Sequence, residues 1–256
     1  MDKKVILISI DGMRPDGLKQ CGNPFVKELE KTCAYTYKGS SVNPSVTLPC
    51  HFSMSHSVVP QRHGILTNTY IPQVRPIKGI FELVRENKGT TAFYYGWGEL
   101  RDIALPCGLD HTVYMRSRDR KTVDNYLTEE CIKRLRSDKP DFVFLYQVDT
   151  DHAGHDFTWM SKEYLETISN AIDNVKKIIE EFGNEYSVVI MADHGGHDRT
   201  HGTLENEDMT IPFFFYGKDF KAGEIDRGVS LIDLAPTMVK VMGIEPDPDW
   251  DGVSIV

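Results

Sequence analysis

Three carboxylate and imidazole clusters each follow a short apolar run, and together they carry the chemistry legible in this chain. The densest is Asp193-His194-Gly195-Gly196-His197, extended to His201, directly after Tyr186 to Met191. A second, Asp149-Thr150-Asp151-His152-Ala153-Gly154-His155, follows Phe142 to Val148, and Asp11-Gly12 follows Val5 to Ile10. Oxygen and nitrogen donors at the carboxyl ends of buried strands lie where open α/β sheets bind their ligands. Asp151 and His155 are four apart, so one helical turn sets them on a common face. Spacing alone leaves Asp149, His152 and Asp156 as competitors. Three carboxylates and three imidazoles suffice for about two metal sites, and mixed nitrogen and oxygen ligation suits zinc, with manganese as the second choice.

A hydroxyl completes the inventory. Thr47 precedes a helical segment with Pro49 in its first turn, so its side chain sits at a helix N-terminus, which favours a bound anion or an alkoxide. An ordinary N-cap is the competing reading, and a metal would have to lower the hydroxyl pKa.

The elements that position these groups alternate between strand and helix. Strands are expected at Val5 to Ile10, Thr91 to Tyr95, Phe142 to Val148, Tyr186 to Met191 and Ile211 to Tyr216. Helices are expected at Pro24 to Cys33 with Asn23 as N-cap, Lys162 to Phe182 ahead of Gly183, and Leu234 to Met242 ahead of Gly243. This alternation predicts a mainly parallel sheet covered by helices on both faces. The 256 residues with 40% hydrophobic content fit one domain, 1–256, and no linker or repeat divides it. The aperiodic stretch 97–122 is expected to form an excursion above the sheet that contacts substrate.

Net charge of −9 leaves no basic surface for a nucleic-acid polymer. The N-terminal apolar run reaches Asp11 too soon for a signal peptide, and no stretch approaches the roughly 20 residues of a membrane span. Five cysteines without a CxxC pair suit reduced thiols and a cytoplasmic location.

The ordered motifs Asp11 to Asp16, Thr47 to Met54, Pro60 to Asn68, Asp149 to His155, Asp193 to His197 and Ser230 to Ile244 resemble the alkaline phosphatase superfamily. The resemblance is greatest to its type I phosphodiesterase/nucleotide pyrophosphatase branch, in a compact form without a cap domain. It implies an α/β/α three-layer sandwich and a two-metal hydrolase of small phosphate esters. Residue by residue, it makes Thr47 the nucleophile of a phospho-threonine intermediate. It assigns Asp11, Asp193 and His194 to the metal that activates Thr47. Asp151 and His155 go to the second metal, completed by His201 or, less favoured, His197. Asn68 is implied as a donor to a phosphoryl oxygen, helped by the amides after Thr47, and Asp149 falls outside the ligand motif.

A sulfatase is disfavoured because Thr47 stands at the nucleophile position and His51 two residues past Pro49. A phosphomonoesterase or phosphonoacetate-type hydrolase on the same metal core is the alternative, and a metal-binding scaffold protein is the non-enzyme reading. Phe52, Tyr95 and Trp97 are the candidate substrate contacts, against a role for such aromatics in the core. Glu99 and Arg101 read as substrate contacts or a surface ion pair, and Arg14 as a phosphate contact or a partner of Asp16.

Overall fold

The computed structural model describes residues 1–116 and 122–256. One eight-stranded sheet runs through the molecule in the order β4-β3-β5-β1-β6-β7-β2-β8. Its strands are β1 (Lys4–Ile10), β2 (Ala34–Ser40), β3 (Thr91–Tyr95), β4 (His111–Tyr114), β5 (Phe142–Gln147), β6 (Tyr186–Met191), β7 (Thr210–Tyr216) and β8 (Gly223–Glu224). β1 lies between β5 and β6, parallel to both, and β3 and β4 continue the parallel set. Central strands buried on both faces favour apolar side chains, which is why β1, β5 and β6 read as apolar runs broken only by residues such as Ser9, Gln147 and Ser187.

The helices are α1 (Pro15–Gln20), α2 (Phe25–Thr32), α3 (Thr47–His56), α4 (Pro60–His63), α5 (Ile80–Glu86), α6 (Val123–Ser137), α7 (Asp149–Phe157), α8 (Lys162–Phe182), α9 (Asn206–Met209) and α10 (Leu234–Val241). α1, α2 and α6 pack on α8, and α3 and α5 pack on α10; α8 and α10 both contact β1. This is the expected three-layer sandwich. α8 begins where Ser161 Oγ accepts the Tyr164 N–H and buries Ile168, Ile172, Val175 and Ile179. α2 starts one residue later than expected, at Phe25, with the Asn23 side chain accepting that residue's N–H at 3.0 Å.

Three strands, β2, β4 and β8, are absent from the sequence reading, and part of the sheet departs from the parallel pattern. β7 runs antiparallel to β6, and β2 pairs antiparallel with β7. β2 carries polar residues and a register shift between Thr36 and Gly39, so it lacks an apolar run. The excursion expected over 97–122 is largely ordered: 3-10 turns at Gly98–Ile103 and Pro106–Gly108 lead into β4, whose half-exposed edge position hides it from an apolarity reading. Residues 117–121 of that stretch lie outside the described residues.

Register brings the ligand-bearing loops level. Ser9 pairs with Met191 and Ile10 with Gln147, so Asp11 and Asp193 each follow two residues beyond the Ser9 and Met191 rung, and α7 begins just past β5. The five cysteines are free, and no helix among the described residues is long and apolar enough to cross a membrane.

Candidate functional site

Two groups of donor atoms converge at these strand ends. Asp11, Asp193 and His194 form one, and Asp151, His155 and His201 the other, with ligand atoms in each lying within 4.8 Å of one another. The first group is buried throughout, whereas His155 has 41% of its side chain exposed. The His194 and His201 rings stack at 3.7 Å, so the groups adjoin. His197 joins neither: its Nδ1 lies 2.8 Å from Asp208 Oδ1, a carboxylate that raises its pKa, and it braces the loop.

The ring nitrogens are oriented for ligation. Nδ1 of His155 lies 2.9 Å from the Arg199 carbonyl, that of His201 2.9 Å from the Ser45 carbonyl, and that of His194 2.8 Å from the Gly195 carbonyl. A carbonyl only accepts, so each Nδ1 carries a proton; Nε2 of the neutral His194 and His201 presents a lone pair, and Nε2 of His155 does so once its second proton is displaced. Those lone pairs face carboxylates: His194 Nε2 is 3.2 Å from Asp11 Oδ1 and 3.3 Å from Asp193 Oδ2, and His201 Nε2 is 3.7 Å from Asp151 Oδ1. Asp11 Oδ1, Asp151 Oδ1 and Asp193 Oδ2 are buried without a hydrogen-bond donor. Acceptor facing acceptor in a buried site is repulsive until a cation lies between them, so these residues fit divalent metal ions.

The titration behaviour follows from the same crowding. Burial, then the charges of Asp193 and Asp151, pushes the Asp11 carboxyl well up, and burial raises Asp193. Burial lowers His194 and brings His201 down to about 4, keeping both neutral. His155 goes the other way, to about 9, because its Nε2 lies 3.4 Å from the Asp151 carboxylate, and a divalent ion there would replace that proton.

Several residues absent from the sequence reading hold this frame. Tyr146 OH donates to Asp11 Oδ2, leaving Oδ1 for a ligand role, and the Gly12 N–H donates to Asp193 Oδ1 at 3.2 Å. Trp159 Nε1 and Tyr164 OH both donate to the Gly12 carbonyl, at 2.9 and 2.8 Å. Trp159 also explains a glycine: a Cβ on Gly196 would lie 2.2 Å from its ring, and one on Gly195 would lie 1.9 Å from the Glu207 carbonyl. Tyr146 gave no sequence signal beyond an apolar strand, since an interior tyrosine becomes informative only when its hydroxyl partner is known.

Thr47 is the first residue of α3, 5% exposed, with Oγ1 3.2 Å from His194 Nε2. Asn68 Oδ1 accepts the Leu48 N–H at 3.0 Å, which fixes the carboxamide so that Nδ2 is its donor end. The amides after Thr47 are not available to a ligand as expected: Leu48 N–H is taken by Asn68, Pro49 has none, and Cys50 N–H bonds the Val46 carbonyl. His51 supports the same turn, with Nδ1 2.8 Å from the Thr47 carbonyl and Nε2 2.9 Å from Ser9 Oγ.

A cleft of about 700 Å³ opens beside Asn68, with Trp97, Tyr114, Arg101, Arg116 and His152 among its walls. Of the expected substrate contacts, Trp97 lines it. Phe52 does not: it is 3% exposed, its ring stacked on His56 at 4.2 Å. Tyr95 is 8% exposed in a ladder of rings with Phe93 and Tyr114. Both serve packing first. Arg101 pairs with Asp102, not Glu99, and Arg14 is held by Asp16 and the Gly196 carbonyl. Asp149 lies outside both donor groups, paired across helix starts with Asp124.

The mainly parallel α/β/α sandwich is an alkaline-phosphatase-like fold, and it sets two Asp/His donor groups fit for metal beside a helix-borne threonine. The chain belongs to the Metalloenzyme superfamily, whose family model matches residues 109–246, and residues 5–116 match the Type I phosphodiesterase / nucleotide pyrophosphatase model. Among curated proteins it is similar to 2,3-bisphosphoglycerate-independent phosphoglycerate mutases. That of Clostridium acetobutylicum is 32% identical over 137 residues, and that of Methanococcoides burtonii 29% over 139. The matched stretches span 50% and 51% of this chain but 26% of either mutase. Among solved structures, an inactive murine ectonucleotide pyrophosphatase/phosphodiesterase 5 in complex with AMP superimposes with a TM-score of 0.82 at 13% identity, covering 98% of this chain and 97% of that one. A phosphonate monoester hydrolase from Silicibacter pomeroyi gives 0.79 at 16% identity, covering 99% and 76%.

Proposed function

We propose that the protein is a two-metal hydrolase of small phosphate esters, a phosphodiesterase or nucleotide pyrophosphatase working through a phospho-threonine intermediate. The observation that carries this reading is Thr47 Oγ1 beside His194 Nε2 at the junction of two donor groups whose buried carboxylate oxygens lack partners. Asp11, Asp193 and His194 would hold one divalent ion and Asp151, His155 and His201 the other; zinc fits the donor set best, manganese next. Bound there, the ions supply Lewis-acid charge that acidifies a hydroxyl and offsets charge on a transferring phosphoryl group.

The chain's own groups do the rest. Thr47 Oγ1 forms the bond to phosphorus while the ester bond to the leaving alcohol breaks, and water later opens the phospho-threonine to restore the hydroxyl. Asn68, held by the Leu48 N–H, directs Nδ2 at an equatorial phosphoryl oxygen. The cleft beside it receives the alcohol portion of the ester. A cytoplasmic location accords with the five free cysteines. The inactive form of the murine phosphodiesterase, a threonine-to-alanine variant, accords with a threonine nucleophile.

Thr47→Ala tests the assignment on the metal-loaded protein with bis-p-nitrophenyl phosphate, p-nitrophenyl phosphate and phosphonoacetate. Loss of turnover with metal content unchanged is expected, and the preferred wild-type substrate separates diesterase from monoesterase and phosphonate hydrolase. Undiminished turnover in the variant would sink the nucleophile assignment.

A further inference from the structure

All three donor-bearing loops close on one side chain that offers no ligand itself. Trp159 follows α7 by two residues and is buried. Its ring stands edge-on to His155, with centroids 5.1 Å apart, and 6.0 Å from the ring of His201. Its Nε1–H donates to the Gly12 carbonyl at 2.9 Å, next to Asp11. Its backbone N–H donates to the Asp198 carbonyl at 2.8 Å, in the loop between His194 and His201.

Two features show what the chain gives up to seat this indole. Each ligand motif carries a glycine where the ring lies. A Cβ on Gly154 would come within 2.6 Å of it and one on Gly12 within 3.3 Å, while Gly196 approaches more closely still. The backbone is also strained on both sides of Trp159. Thr158 and Met160 have φ of 79° and 67°, in the region that favours glycine, and strain of this kind persists only where the surroundings enforce it. The enforcing contact is the Asp198 carbonyl, which accepts both Thr158 Oγ1–H and the Trp159 N–H.

The two donor groups depend on the indole unequally. In the first, Tyr146 holds Asp11, the Gly12 N–H holds Asp193 and the Gly195 carbonyl orients His194. The Gly12 carbonyl keeps a second donor in Tyr164 OH whether or not the indole is present. In the second, His155 is the exposed member, and its ring rests on Trp159 with Nδ1 tethered to the Arg199 carbonyl. Without the indole, Gly154 and Gly196 face a void, and the rotation of His155 is checked at one end only.

We propose that Trp159 is a positioning residue for the second donor group, Asp151, His155 and His201, and sets its metal affinity separately from that of the first. This role rests on the two-metal reading of the site. Partners that orient metal ligands typically contribute about 10–100-fold in affinity, and the indole would supply that to one ion of the pair.

The test is calorimetric titration of zinc into the chelator-treated full chain. His201→Ala removes a ligand of the second group, so the step it retains marks the first. In Trp159→Leu the second step should weaken by about 100-fold, and in Trp159→Phe, which keeps a smaller ring without the N–H, by about tenfold. The first step should stay within about threefold of wild type in both, a split that a general loss of structure would not produce. Thermal melts of the metal-free chains show whether each variant folds; if Trp159→Leu does not, Trp159→Phe decides. Equal weakening of both steps, or an unchanged second step, overturns the role of Trp159. Uptake of fewer than two ions by the wild type overturns the two-metal reading and this role with it. Uptake of two ions without hydrolysis of any phosphate ester overturns the hydrolase reading alone.

Discussion

Asp193→Asn should change the sign of its effect with the metal. Asp193 is fully buried beside Asp11, with ligand oxygens inside the 4.8 Å group, and neither Asp193 Oδ2 nor Asp11 Oδ1 has a hydrogen-bond donor. Two like charges at that separation repel by about 3.5 kcal/mol at an effective dielectric of 20, and partial protonation of the pair reduces this to about 2 kcal/mol. In metal-free protein the substitution removes that repulsion and supplies an amide donor. It should raise the melting temperature by about 4–8 °C, at roughly 2–4 °C per kcal/mol for a chain of this size. In metal-loaded protein a wild-type site held at about 1,000 times its dissociation constant contributes about 4 kcal/mol, which the variant forfeits. Its melting temperature should then fall below wild type by about 4–8 °C, the difference between the two terms. Calorimetry with and without chelator, alongside metal analysis, reads both signs. A variant destabilised equally in both states would refute the reasoning, because it would show that Asp193 Oδ2, and not only Oδ1, is held by a protein donor.

Three further outcomes follow from other parts of the structure. Asn68→Ala should lower kcat about 100-fold or more, as loss of one transition-state donor does elsewhere, with little change in metal content; an unaltered kcat would remove Asn68 from the reaction. Gly195→Ala places a Cβ 1.9 Å from the Glu207 carbonyl, a backbone atom that cannot swing aside, and should cost about 3 kcal/mol in denaturant melts. Burial depresses His56 to about 3 and His63 to about 4, below the unfolded value near 6.5. Above pH 6.5 both are neutral in either state; as pH falls from 6.5 toward 4, the unfolded chain takes up protons that the folded one refuses. Their joint stability loss should approach about 2.5 kcal/mol per pH unit near pH 5, and a His56→Gln/His63→Gln double variant should show that much less slope.

The residues of the two donor groups were largely legible because chemistry restricts their type and strand ends restrict their place. Asp11, Asp151 and Asp193 each follow a buried apolar run, and buried parallel strands announce themselves by composition. Other strands do not: β4 at one edge is half exposed and β2, between β7 and β8, is polar, so both needed the hydrogen-bonded neighbours that only the folded sheet provides.

The resemblance favoured His201 over His197, but the physical ground for that choice came only with the fold. His197 and His201 have the same side chain four positions apart; the turn through Gly195 and Gly196, packed against Glu207 and Trp159, sends one to Asp208 and the other to Asp151. Thr47 and Asn68 could be named as a pair, but that Asn68 also takes the Leu48 amide, leaving its own NH2 as the donor, depends on a contact across 20 residues. The sequence by itself determined which chemical groups this protein owns and the strand ends that carry them, since both follow from residue type and local period. Tertiary structure decided which lone pairs face each other and which donors stay free, because burial and hydrogen-bond direction arise only when distant segments meet.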